Sequence, residues 1–195
     1  WKVVKIKFID LQKQYKKIKK DIDRDIFETL EKGDFILGQK VFELENKLAE
    51  YSGSKHCISC SSGTDALLIL LMAKKIGPGD AVFTTNFSFF ATTEVISLLG
   101  ATPVFIDIDE STFNINPQLL ELEINKVIKE KKLNPRAIIS VDLFGLLADY
   151  NEIERISRKF NLFLIEDAAQ SFGATYNNKK ACSFGDASAT SFYPA

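Results

Sequence analysis

The chain has 195 residues, 46% hydrophobic and 26% charged, enough for one domain with a core of its own. Its 25 basic and 26 acidic side chains leave a net charge of -1, which excludes the basic surface of an electrostatic nucleic-acid binder. The longest apolar run, "ALLILLMA" at 66–73, falls far short of the ~20 residues that cross a bilayer, so no membrane partner is expected either.

The start, "WKVVKIKF", lacks the apolar core of a signal peptide and an initiator Met, and is expected to be a boundary rather than a natural terminus. Residues 10–32 then carry apolar side chains at helical spacing: Leu11, Tyr15, Ile18, Ile22, Ile26 and Leu30. The lysines among them read as a solvated face. Gly33 stops this helix, "FILG" follows as a loop, and a second helix runs over 40–51.

From there strands and helices alternate. Strands are predicted at 55–60, at "AVFTTN" (81–86), "TPVFIDI", "AIISVDL" and "LFLIED", and the end of another at Ser191–Tyr193. Between them fall helices at 64–75, before Gly100, from Pro117, and from Asp149 to Phe160. "YNNKK" (176–180) reads as a hairpin turn. Because the strands are continuous apolar runs, they must be covered on both faces. The expected fold is therefore α/β, a mostly parallel sheet with helices on both sides. A single domain is expected over 1–195, with N-terminal helices over 1–52 and the α/β core over 53–195.

Cys57 and Cys60 form a C-x-x-C. On a strand, residues three apart face opposite ways, which disfavours a shared metal or disulfide. With Cys182 they read as the reduced thiols of a cytoplasmic protein. No metal is expected.

Ligands of an open parallel sheet bind at the carboxyl ends of its strands. "SSGTDA" joins a strand to a helix through Gly63 and Thr64. It suits a phosphate on free helix N–H groups, or simply an N-cap at Ser62. "NFSFFATT" sets Phe87 and Phe89 on one face of an extended segment, for core or for cofactor. "FLIEDAAQS" ends a buried strand with Glu166 and Asp167. Such a carboxylate needs a metal (with Asp107 or Asp142 as further ligands), a protonated ring nitrogen, or a helix to cap. Taken together, a phosphate cradle, an aromatic cover and a buried acid suit pyridoxal 5'-phosphate.

The stretches "FIDLQKQY", "GDFILGQKVFELENKLAEY", "SSGTDALLILLMA", "GPGDAVFTTNFSFFATTEVISLLGATPVFIDID", "IEDAAQSFGATY" and "SFYPA" resemble the DegT/DnrJ/EryC1/StrS family from Phe8 to Ala195. These are sugar aminotransferases of the aspartate aminotransferase-like fold. The resemblance implies that Gly63, Thr64 and Ser191 hold the cofactor phosphate and that Phe89 stacks on its ring. Asp167 would pair with the ring nitrogen, and Gln170 would sit beside the 3-hydroxyl. In the family "SF-aromatic-P-small" runs directly into the Schiff-base lysine, expected just after Ala195. The small C-terminal domain is missing as well, so about half of a family member is expected here.

The implied reaction is amination of a nucleotide-linked keto-sugar with glutamate as donor, for surface polysaccharide. The flavour of the motifs is nearest to enzymes that aminate C3 of a UDP-linked keto-sugar acid, with C4 amination of UDP-4-keto-6-deoxy sugars next. Two rivals remain. One is a sugar 3-dehydratase, with histidine in the lysine's place; the other is an inactive binding module. The fold's active site lies between subunits, so a homodimer is expected, with the N-terminal helix and "GDFILG" in the contact.

Overall fold

The computed structural model describes residues 9–192. The chain divides into two compact units, split between Leu44 and Glu45 within the second helix. The first unit holds α1 (Leu11–Lys32), capped by the Asp10 carboxylate and closed by Gly33 in the left-handed conformation. None of the residues of α1 is buried. A loop leads to α2 (Gln39–Ser52).

The second unit contains α3 (Gly63–Ala73), β1 (Asp80–Thr85), α4 (Phe90–Leu98), β2 (Thr102–Ile106), α5 (Pro117–Glu130), β3 (Asn134–Val141) and α6 (Tyr150–Phe160). β4 (Phe163–Asp167), a hairpin of β5 (Thr175–Tyr176) and β6 (Lys179–Lys180), and β7 (Ala187–Ala189) complete it. The main sheet is parallel throughout, in the order β2-β1-β3-β4-β7.

Strand residues alternate between two cores, which explains their unbroken apolar sequence. Phe83, Ile138 and Leu164 join Leu120, Ile124, Ile153 and Ile156 from α5 and α6. Their neighbours Val82, Ile139 and Ile165 join Leu67, Leu71, Val95 and Ile96 from α3 and α4. The helices start where side chains satisfy free N–H groups. Asn116 caps α5 ahead of Pro117, and Asp149 caps α6. The hairpin turns through Asn177 and Asn178, both at positive φ, as a two-residue turn requires.

Three local expectations change. Residues 55–60 join no strand ladder, and Ile58 is 85% exposed. Apolar, β-branched composition makes a strand only where a neighbouring backbone supplies partners. The alternation assumed for Cys57 and Cys60 therefore has no ladder to rest on. Phe87 and Phe89 lie beyond β1, in a bend that feeds α4, so strand alternation does not govern them. The last strand ends at Ala189, before Ser191 and Phe192; Tyr193 lies outside the described residues.

Gly185 sets how closely the turn before β7 meets β4. Its φ is +67°, in the left-handed region, and a Cβ there would lie 2.7 Å from the Leu164 carbonyl oxygen. Gly185→Ala is expected to destabilise the protein by about 2 kcal/mol or more. Chemical denaturation measures it, and an unchanged midpoint would contradict this close approach.

Candidate functional site

Register lines up the acidic ends of two central strands. Ser140 pairs with Glu166 and Val141 with Asp167, so Asp142 stands just beyond Asp167's neighbour. The Asp142 N–H donates to the Asp167 carbonyl at 3.1 Å. Asp167 itself is 5% exposed. Its Oδ2 accepts from the Thr92 hydroxyl at 2.9 Å, and its Oδ1 from the Ala169 N–H at 3.3 Å. Burial pushes the Asp167 carboxyl above its ordinary pKa, and the charge of Asp142 adds to this. The two donors pull the other way. The Asp167 carboxyl is thus suited to meet a cation or a protonated nitrogen.

The helix-start cradle has a built shape. Ser62 caps α3 by accepting from the Asp65 N–H at 3.1 Å. Helix geometry leaves the Gly63 and Thr64 N–H groups, in the first turn, without an intrahelical acceptor. Ser191 lies against Gly63 so closely that a Cβ there would come within 3.0 Å of the Ser191 Cβ. Capping and anion binding are therefore compatible: the cap uses one N–H and leaves others. Together with the helix dipole, this spot favours an anion.

The strand ends are tied to each other. The Ala168 N–H donates to the Ala189 carbonyl at 2.8 Å, and the Thr190 hydroxyl to the Ala168 carbonyl at 3.1 Å. Gln170 accepts from the Phe144 N–H at 2.7 Å through Oε1. Phe144 sits in the left-handed region at φ 56°, a strained place for an aromatic residue. The Thr92 N–H donates to the Phe89 carbonyl at 3.2 Å, while Phe89 is 71% exposed. Hydrogen bonds thus link the Phe89 turn, through Thr92, to Asp167. Gln170, three residues past Asp167, is fixed against the loop after β3.

Sequence reasoning overlooks Thr92 and Ser88, whose hydroxyls lie 3.1 Å apart behind Asp167. A hydroxyl in the first turn of a helix that follows a strand end is the available signal. Asp107 is exposed, and no three His, Cys, Asp or Glu side chains gather as a metal would need among the described residues. Glu166 faces the opposite way from Asp167. It accepts from the Cys182 and Phe184 N–H groups at 2.8 and 2.9 Å.

A profile of the DegT/DnrJ/EryC1/StrS aminotransferase family matches residues 16–195. The chain belongs to that family. It is 48% identical over 190 residues to the UDP-2-acetamido-2-deoxy-3-oxo-D-glucuronate aminotransferase of Pseudomonas aeruginosa, covering 97% of this chain and 51% of that protein. A solved DegT DnrJ EryC1 StrS aminotransferase from Brucella abortus superposes with TM-score 0.95 at 49% identity, over 97% of this chain and 51% of that one. A putative sugar aminotransferase from Streptococcus pneumoniae, solved in its PLP form, gives TM-score 0.77 at 28% identity over 87% of this chain and 45% of that one. The chain spans about half the length of the curated relatives it matches. No described helix is long and apolar enough to cross a membrane.

The Gly63–Ser191 approach gives a direct test in the intact DegT/DnrJ/EryC1/StrS protein. Gly63→Ala is expected to force Ser191 away and weaken binding of inorganic phosphate at the start of α3 about tenfold or more, followed by titration calorimetry. Unchanged affinity would remove Gly63 from the cradle.

Proposed function

We propose that the intact protein is a pyridoxal phosphate-dependent aminotransferase of nucleotide-linked keto-sugars. The observation that carries this reading is the buried Asp167 carboxyl at the end of β4. It is short of a cation and held by Thr92, beside a helix start shaped for an anion. These residues fit the cofactor. Gly63, Thr64 and Ser191 would hold its phosphate, Phe89 would cover its ring, and Gln170 would stand beside its 3-hydroxyl. Asp167 would keep a proton on the ring nitrogen.

When bound, the cofactor supplies an electron sink for the substrate carbon. The chain's own part is electrostatic. Thr92 orients Asp167, so the carboxylate is positioned before the reaction begins. The α3 N-terminus neutralises phosphate charge without a resident cation. The lysine that moves the substrate proton is proposed to lie just past Ala195.

A UDP-linked 3-keto-sugar acid is the substrate we favour, with glutamate as donor, in surface polysaccharide synthesis in the cytoplasm. Support comes from the name and 48% identity of the Pseudomonas aeruginosa relative. UDP-4-keto-6-deoxy sugars are the next class. In the intact protein, isotope-labelled glutamate nitrogen is expected in the sugar product by mass spectrometry. Loss of a sugar hydroxyl without nitrogen gain would indicate a dehydratase instead. Asp167→Ala is expected to slow turnover by at least ~10²-fold. A variant turning over at the wild-type rate would sink the role given to Asp167.

The proposed partner for α1 is a second copy of the chain. Leu11, Ile26 and Leu30 are 58%, 52% and 56% exposed, an apolar row costly to leave in water. Sedimentation of the intact protein is expected to return a dimer and Ile26→Lys to weaken it; a wild-type monomer would contradict the proposal.

A further inference from the structure

The acid best enclosed by the site's own loops is Asp142, whose side chain bonds none of the groups assigned to the cofactor's phosphate or ring. It is fully buried just beyond β3. Its Oδ1 accepts from the Ala148 N–H at 3.1 Å and the Tyr150 hydroxyl at 2.8 Å. Its Oδ2 accepts from the Ser171 hydroxyl at 2.9 Å. Ser171 closes the turn at 168–171 by donating its N–H to the Ala168 carbonyl at 3.2 Å. Gln170 belongs to that turn and binds the Phe144 N–H in the loop on Asp142's side. One carboxyl therefore pins both the 142–148 loop and the 168–171 turn, and its backbone is bonded to Asp167.

Glu166 lies near the end of the neighbouring strand, equally buried, and accepts from the Cys182 and Phe184 N–H groups. Burial raises both, and the Asp142 charge helps lift Glu166 to about 8. The other titratable groups facing these acids are Tyr150 from α6 and Cys182 after β6, while Asp167, on the opposite face of β4, feels the Asp142 charge. Burial holds the Tyr150 hydroxyl and the Cys182 thiol neutral, the thiol being pushed up to about 12. Among the described residues no salt bridge reaches either acid. The two acids are thus satisfied by neutral donors, not by an ion pair.

We propose that Asp142 is the positioning residue of this site. It holds the 142–148 loop and the 168–171 turn together so that Asp167 and Gln170 meet the cofactor in fixed geometry. This rests on the cofactor reading above.

The test uses the intact protein, pyridoxal phosphate as probe, and three chains: wild type, Asp142→Ala and Asp142→Asn. The asparagine variant keeps an acceptor for Ala148 and Tyr150, and its new amide can donate to the Ser171 hydroxyl oxygen. Asp142→Ala is expected to weaken cofactor binding by about tenfold or more and to alter the visible circular dichroism of the bound cofactor. Asp142→Asn is expected to restore both. Wild-type affinity and an unchanged band in Asp142→Ala would overturn the proposal.

A second readout needs no cofactor and serves if Asp142→Ala does not fold. Burial raises folded Glu166 to about 8, so it keeps a proton that the unfolded side chain loses above its ordinary range. Wild-type stability is therefore expected to fall as pH rises from about 5 to about 8. Asp142→Asn removes the charge that helps raise Glu166 while burial remains, so this fall is expected to be shallower. An equally steep fall would overturn the influence of Asp142 on Glu166. If the wild type binds no pyridoxal phosphate, the functional reading fails while the pH profile still decides whether Asp142 acts on Glu166.

Discussion

Three carboxyl groups buried at the ends of two adjacent parallel strands constrain everything around them. Asp142, Glu166 and Asp167 have exposures of 0%, 0% and 5%, and no salt bridge reaches them among the described residues. A buried acid without a cation must find donors or keep a proton. Backbone N–H groups of Ala148, Ala169, Cys182 and Phe184 and hydroxyls of Thr92, Tyr150 and Ser171 meet that need. These donors come from α4, α6 and the loops after β3, β4 and β6. Satisfying the acids therefore fixes the loops at this end of the sheet.

The two acids of β4 serve opposite sides because a strand alternates its side chains. Glu166 turns toward the segment between the hairpin and β7. Asp167 turns toward α4 and the end where α3 begins. The Gly63–Ser191 approach lies on that same side, since α3 and α4 both pack on the face that holds Ile165. An anion at the start of α3 and a cation at Asp167 would each relieve a local electrostatic need. Such a pair of needs fits one zwitterionic ligand better than two separate ions.

Much of the fold is legible in the sequence. Unbroken apolar runs call for a sheet covered on both faces, and the structure supplies α3 and α4 on one side and α5 and α6 on the other. Gly33, Pro117 and the Asn177–Asn178 turn end or begin elements where their backbone preferences require. Residues 55–60 escape such reading because composition reports how well a segment suits a ladder, not whether a partner strand is present. The turn of Phe87 and Phe89 escapes it because the extended run ends at Thr85 and the next helix starts at Phe90.

Among the site residues, those at motif positions are visible because they sit at strand ends, where topology concentrates binding groups. Thr92 is not, since a hydroxyl in an apolar helix start looks like ordinary helix sequence until Asp167 appears 75 residues later at 2.9 Å. The bonds of Asp142 to Ala148, Tyr150 and Ser171 are equally hidden. By itself the sequence determined the alternation of elements, the double burial of the strands and the family motifs, because periodicity and local turn chemistry are written in neighbouring residues. Only the tertiary structure decided which acids meet a hydroxyl, which meet a backbone N–H and which loops they bind. Those outcomes depend on register between strands and on desolvation, both set by residues distant in the chain.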